Sequence, residues 1–228
     1  MKLETVVPWG RSLDEYRAMF SLHDDDLKLS ILGCGDGPAS FNAELSALGG
    51  RVTSVDPIYQ FEAEEIRQRV EETYSIVVEQ TRAAAHRFVW SRFKDADDLG
   101  RARLEAARLF LEDYERGREE NRYIAASLPT LPFEDRAFEL GLCSHLLFLY
   151  SDQLDLEFHL ASMRELGRVC CEVRAFPLLD LSGERSKYLQ PILEALRAEG
   201  FEAEVKRVNY EFQRGGNEML VARRVRPG

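Results

Sequence analysis

The stretch that most constrains this chain is 27–57, where an apolar run meets three closely spaced glycines. Leu27, Leu29, Ile31 and Leu32 form the run, which reads as a short buried strand. Gly33, Gly35 and Gly37 follow at once. Over 39–48 the period changes, with Phe41, Leu45 and Leu48 on one helical face before Gly49-Gly50 stops the helix. Residues 52–55 make a second strand that ends at Asp56-Pro57. Strand, glycine turn, helix and acid-tipped strand together read as a βαβ unit of the mononucleotide-binding kind.

Each part has a physical role. Glycines at a strand exit adopt torsions closed to other residues and let a ligand touch the main chain. The N–H groups opening the helix at 38–41 lack intrahelical partners and attract a negative or polar group. An acid at the tip of the second strand accepts two hydrogen bonds from a ribose diol, and Asp56 lies at about the expected 20 residues beyond the first glycine. A three-glycine turn by itself is as readily a plain turn. The ordered strand, helix, strand and acid around it favour a ligand.

The pattern is G-x-G-x-G, and Pro38 stands where a dinucleotide fingerprint wants Gly or Ala, which disfavours a nicotinamide enzyme. No Gly-Lys-Ser/Thr of a Walker loop is present. The stretch resembles motif I of the class I S-adenosylmethionine-dependent methyltransferases, followed by their strand-2 acid. That resemblance implies a glycine loop passing the methionine part of the cofactor and an acid gripping the ribose. The implied cofactor contacts are Gly33, Cys34, Gly35, Asp36, Gly37, Asp56 and Pro57. One departure is Ile31, where the family usually carries an acid two residues before the first glycine, so the cofactor's amino group must be met from elsewhere.

With 228 residues, 45% hydrophobic and 31% charged, the chain has enough material for one large core, and we expect a single domain over 1–228. No apolar stretch approaches the roughly 20 residues of a membrane helix. The N-terminal Met-Lys-Leu-Glu-Thr lacks a signal-peptide core, so a cytoplasmic location is expected. A net charge of −10 repels a phosphate backbone and argues against nucleic acid as substrate. Cys34, Cys143, Cys170 and Cys171 show no CxxC pairing and read as buried thiols in a reducing compartment, and no metal site is assigned.

Pro8-Trp9-Gly10 reads as a turn, and Ser12 opens a helix with Glu15 completing a capping box. Trp9 and Tyr16 either cover the site mouth, as such helices do in the resembled family, or cap the core. Residues 61–118 are the unusual feature, because a standard crossover needs one helix and a few loop residues. Ile66, Val70, Tyr74, Val77, Thr81, Ala84 and Phe88 form one helical stripe. After the aromatics Phe88, Trp90 and Phe93, carboxylates at 95–98 cap a second helix whose face carries Leu99, Ala102, Ala106, Leu109, Phe110 and Tyr114, with Gly117 as its stop. The pair reads as an inserted helical hairpin at the rim of the site. It is a lid, a surface for a second copy of the chain, or a structural extension.

Residues 123–125 are a short third strand and 138–143 a fourth. Between them, Leu131-Pro132-Phe133 with Asp135 and Phe138 resembles the post-strand-3 region of small-molecule methyltransferases. That resemblance implies adenine contacts from Ser127 and Leu128, with Ser127 in place of the family's common Asp. Ligands of open α/β sheets bind beyond the carboxyl ends of the strands, so Ser144, His145 and Tyr150 are expected to face the site. Ser144 is taken as a cofactor contact and His145 and Tyr150 as catalytic candidates. A neutral imidazole takes a proton near pH 7, although His145 as readily only positions the cofactor. The Asn/Asp-Pro-Pro-Tyr/Phe motif of base-modifying methyltransferases is absent here. A helix follows over 154–166, a fifth strand over 169–176 and a helix over 186–199. Arg174 is a candidate for reading a substrate carboxylate, or else a partner in a surface ion pair. Strands over 203–212 and 218–224 flank a turn at 214–217.

The expected architecture is therefore α/β: a Rossmann-like, mostly parallel seven-stranded sheet with helices on both faces, a C-terminal antiparallel hairpin and a two-helix insertion. The expected activity is methyl transfer from S-adenosylmethionine to a small-molecule acceptor, without nucleic-acid or membrane partners and with 61–118 available for a homodimer. The rival reading is a non-catalytic module that binds S-adenosylmethionine or S-adenosylhomocysteine and uses the insertion to hold a partner protein.

Overall fold

In the computed structural model, which describes residues 9–224, the two βα repeats at the start already set the sheet. Strand β1 (Ser30–Cys34) runs parallel to β2 (Arg51–Val55), with α2 (Phe41–Ala47) between them. The remaining strands are β3 (Tyr123–Ile124), β4 (Phe138–Ser144), β5 (Cys170–Phe176), β6 (Phe201–Arg207) and β7 (Glu218–Arg224). Their spatial order is β3-β2-β1-β4-β5-β7-β6. The first five strands are mutually parallel and β7 lies antiparallel between β5 and β6. The order reverses between β1 and β4, so the carboxyl ends of those strands frame the crevice in which such sheets bind ligands. Of the expected turn at 8–10, Pro8 lies outside the described residues, as does the N-terminal pentapeptide.

Alternation along each strand divides the core in two. Leu32, Cys143, Leu220 and Ala222 face α5 (Leu156–Val169) and α6 (Leu189–Ala198), while Ile31, Leu140, Leu142 and Val221 face α1 (Leu13–Phe20) and α2. Ile31, at the position where an acid was missed in the glycine motif, is a core residue of the second face with 1% of its surface exposed. Ser12 caps α1 and Glu15 returns a bond to the Ser12 N–H, the expected capping box. Helix α5 begins two residues later than the sequence pattern suggests, because the Asp155 carboxylate accepts the Phe158 N–H and fixes the first turn. The last helix also starts late, at Leu189, after a Ser186 turn whose hydroxyl accepts the Tyr188 N–H.

The insertion is a pair of packed helices, α3 (Ala63–Ala83) and α4 (Ala96–Glu119). Only Ile66, Val77, Val78 and Thr81 of α3 are buried, whereas ten residues of α4 are, so α4 anchors the hairpin. Its root is a small aromatic core of Tyr59, Phe110, Tyr114 and Tyr123. Gly117 does not end α4 as expected. The helix continues to Glu119, and a Cβ at Gly117 would sit 2.3 Å from the Tyr123 ring, so the glycine serves that close packing.

The C-terminal hairpin departs from expectation in a way that matters for the site. Strand β6 stops at Arg207, and 209–213 leave the sheet instead of extending it. That excursion pairs with the chain after α3: the Val89 N–H donates to the Phe212 carbonyl at 2.8 Å and the Arg214 N–H to the Arg87 carbonyl at 2.9 Å. Phe88 stacks on Phe212 with ring centroids 4.6 Å apart, and Phe93 meets the same ring edge-on. The insertion is thus fastened at its tip to the hairpin loop and at its root to β3.

Candidate active site

The glycine loop is held from beneath. Gly35 and Gly37 have φ of +72° and +55°, and the Gly35 N–H donates to the Val55 carbonyl at 3.0 Å. A Cβ on Gly33 would lie 1.9 Å from the Asp36 carboxylate, because Asp36 folds back under the loop. There the Tyr16 and Ser54 hydroxyls each donate to one of its oxygens at 2.6 Å. Burial pushes the Asp36 carboxyl up to about 6 despite those two donors. Asp36 borders the cleft above the loop, yet both its oxygens are engaged inward, so it acts as a brace.

That cleft, of about 510 Å³, is bordered by the loop, Asp56, Pro57, Ser127, Leu128 and Ser144. The topology brings these sequence-distant segments to one crevice. Asp56 caps the turn after β2: one carboxylate oxygen accepts the Ile58 N–H and the other the Gly37 N–H, both at 2.9 Å. Burial raises its pKa and these two N–H bonds oppose the rise. A carboxylate has about four acceptor positions, so two remain for a ligand. Cys34 is buried beneath the cleft against Cys143, and Cys170 is buried as expected, whereas Cys171, the next residue of β5, is exposed rather than buried. The volume falls in the usual range for small-molecule sites, roughly 300–1,000 Å³. Glycine main chain at one end and an acid with spare acceptor capacity in the middle fit an adenosyl amino acid.

A second, smaller chamber of about 120 Å³ adjoins the cleft, and Trp9, Arg11 and His145 border both. His145 follows β4 with φ of +52°, its N–H donating to the Phe176 carbonyl at 2.7 Å. Its Nδ1 lies 3.0 Å from the Ser144 hydroxyl, which also bonds the Tyr16 phenol. Tyr16 donates to Asp36. Read from the carboxylate outward, the chain of donors runs Tyr16 to Asp36, Ser144 to Tyr16 and the His145 Nδ1–H to Ser144. This order leaves Nε2 as the acceptor, with no bond to any described residue. Burial, then the charges of Arg11 and Arg103, hold the His145 pKa well below the ordinary histidine value, so the ring is neutral near pH 7.

The chamber is walled by residues from six separate segments. Tyr150 contributes from the turn after β4, Phe176 from the tip of β5, and Tyr210 and Phe212 from the hairpin excursion. Helix α3 overhangs both spaces, placing Arg69 and Thr73 on the cleft and Val77 and Thr81 on the chamber. Arg174, a candidate for binding substrate, borders neither. It is buried in ion pairs with Asp26 and Glu172 at 3.0 and 2.6 Å and donates to the Phe20 carbonyl. Strand alternation turns it to the α1 side of the sheet, where it fastens that helix.

Sequence reasoning missed Arg11, Arg103 and the second task of Glu15. The Glu15 carboxylate takes Arg103 through both terminal nitrogens, 2.7 Å for the longer contact, and the Tyr210 hydroxyl at 3.0 Å. Burial alone would raise the Glu15 pKa, but Arg103 and then Arg11 bring it down to about 2. The cluster joins α1, α4 and the hairpin excursion behind the chamber. The one sequence signal was an arginine within the apolar face of α4, at Arg103.

The strand order, the glycine loop and the acid at the tip of β2 define the fold of the class I S-adenosylmethionine-dependent methyltransferases. Solved structures agree. The magnesium protoporphyrin IX methyltransferase ChlM of Synechocystis PCC 6803, with bound S-adenosylhomocysteine, superposes with a TM-score of 0.50 at 15% identity, over 93% of this chain and 81% of that one. The mitomycin 7-O-methyltransferase MmcR gives 0.50 at 14% identity over 93% of this chain and 54% of its own. At such identities the agreement is one of fold. The chain belongs to the family of the uncharacterized protein MJ0045 of Methanocaldococcus jannaschii, with 35% identity over 225 residues, 98% of this chain and 99% of that protein. No protein-family model matches the chain. Among the described residues, no helix is long and apolar enough to cross a membrane.

Proposed function

We propose that this protein transfers a methyl group from S-adenosylmethionine to a small-molecule acceptor. The observation that carries the reading is the pairing of a nucleoside-sized cleft with a smaller chamber across a shared wall of Trp9, Arg11 and His145. When bound, the cofactor supplies a sulfonium methyl: an acceptor lone pair forms the new bond to carbon as the C–S bond breaks, its electron pair staying on sulfur.

The chain's own contribution is alignment in a dry pocket. The main chain of 33–37 would receive the amino-acid end, the free acceptor positions of Asp56 the ribose diol, and Ser127 with Leu128 the adenine. His145 Nε2 accepts the proton of a hydroxyl or amine acceptor, and the Ser144–Tyr16–Asp36 chain keeps its Nδ1 protonated. Tyr150 bounds the acceptor's space. Helix α3 overhangs both compartments, which supports the insertion as a lid rather than a surface for a second copy.

The test is calorimetric titration with S-adenosylmethionine, S-adenosylhomocysteine and NAD. The first two bind and NAD does not. Replacing Asp56 with Ala weakens S-adenosylhomocysteine binding by about 1.5–3 kcal/mol, the range for losing a charged hydrogen bond. Unchanged affinity in a folded Asp56→Ala variant contradicts the assignment.

A further inference from the structure

A chain with ten net negative charges lines its acceptor chamber with no carboxylate at all. The charged side chains on that wall are Arg11 and Arg87. Arg11 donates to the Trp9 carbonyl at 3.0 Å, while its Nε is shielded from solvent and has no partner. The nearby carboxylate, Glu15, is already taken by Arg103 and Tyr210. Arg103 thus occupies that carboxylate through both terminal nitrogens, and Arg11 makes no ion pair of its own among the described residues. Arg87 donates to the Leu181 carbonyl at 2.9 Å and has no ion pair among the described residues. His145, being neutral, adds no counter-charge.

A cation in an apolar wall is costly unless something pairs with it. The rest of this wall is mostly aromatic and aliphatic, with Phe88, Phe176, Tyr210 and Phe212 among its members. Its volume of about 120 Å³ is close to the roughly 150 Å³ of an apolar cavity that holds benzene. Size, shape and charge thus converge on one kind of occupant.

We infer that the methyl acceptor is a single-ring organic acid, its carboxylate met by Arg11 and Arg87 and its ring by the aromatic wall. The inference rests on the methyltransferase reading only in taking this chamber, beside the donor cleft, as the acceptor's place. Arg11 also borders the cleft, whereas Arg87 borders the chamber alone, and the two are separable on that ground.

The experiment measures binding of benzoate and its uncharged isostere benzamide by calorimetry, with the three hydroxybenzoates and their amides as a wider panel. The full-length protein is used with and without saturating S-adenosylhomocysteine. At least one acid binds roughly tenfold or more tightly than its amide, as expected when one ligand forms a charge-assisted pair and the other does not. In Arg87→Gln that preference shrinks severalfold while S-adenosylhomocysteine affinity is unchanged. Acids and amides that bind alike, or no binding by any acid of the panel, overturn the inference. Failure of S-adenosylhomocysteine to bind instead overturns the donor assignment, and the acid preference is still read in the protein without it. Thermal unfolding of Arg87→Gln checks its fold, and the wild-type comparison stands without the variant.

Discussion

The two compartments share a wall but differ in what they are built around. The cleft is centred on a glycine loop, the Asp56 cap and the braced Asp36, with Arg69 and Glu72 also bordering it. The chamber is side chain and base: aromatic rings from remote loops, two arginines and no carboxylate. A cleft built from main chain comes with its local motif, whereas a chamber built from side chains exists only once distant segments have docked. The contrast places the recurring chemistry in the first compartment and the particular chemistry of this protein in the second.

The contrast is broken most severely at the cluster behind the chamber. Changing Glu15 to Gln leaves the buried Arg103 without its carboxylate, and removing one partner of a buried pair costs about 3–5 kcal/mol. Chemical denaturation measures the loss. The chamber is expected to suffer more than the cleft, so acid binding falls further than S-adenosylhomocysteine binding. An effect under about 1 kcal/mol would place the pair among weak surface bridges.

The shared wall is tested next. His145→Gln lowers the methylation rate by roughly 10²–10⁴-fold, the usual contribution of a general base, with S-adenosylhomocysteine affinity retained. Because the wild-type imidazole is neutral down to well below the ordinary histidine range, its rate stays level from the ordinary histidine value upward through neutral pH. A rate that climbs through the ordinary value instead would mean that His145 titrates normally.

The brace beneath the cleft gives the smallest effect. The Asp36 carboxyl goes from an ordinary 3.8 to about 6 on folding, so the folded chain binds the extra proton across that window. Its contribution to stability is therefore greatest at the acid end and is lost as pH rises through about 6. A rise of that size corresponds to about 3 kcal/mol at most. Asp36→Asn removes that dependence, and the difference between the variant's and the wild type's stability curves changes between those pH values. Parallel curves would mean that Asp36 is solvated rather than buried.

What the sequence made legible follows the same division. The sheet, the first βαβ unit, the capping box at Ser12 and the insertion's stripe are local or periodic patterns and are realised in the structure, except that Leu48 lies past the end of α2 and is exposed, and Ala84 and Phe88 lie past the end of α3. Asp36 was visible as a loop residue, but its inward turn depends on Tyr16 and Ser54, which no spacing rule joins to it. Arg174 was expected at the tip of the fifth strand, but it lies within β5, paired on both sides, where alternation turns it to the α1 face and Asp26 and Glu172 take its charge. Tyr210 and Phe212 alternate like strand residues, yet pairing with the loop after α3 outweighed extension of the hairpin. Arg11 gave no signal, because its meaning lies in a carboxylate it lacks.

The central claim is that donor and acceptor meet where Trp9, Arg11 and His145 separate cleft from chamber. A crystal structure with S-adenosylhomocysteine tests it most directly. The ligand is expected along 33–37, with its ribose diol on Asp56 and its sulfur facing that shared wall. Ligand density with the sulfur directed away from His145, or a ligand bound outside the cleft, contradicts it.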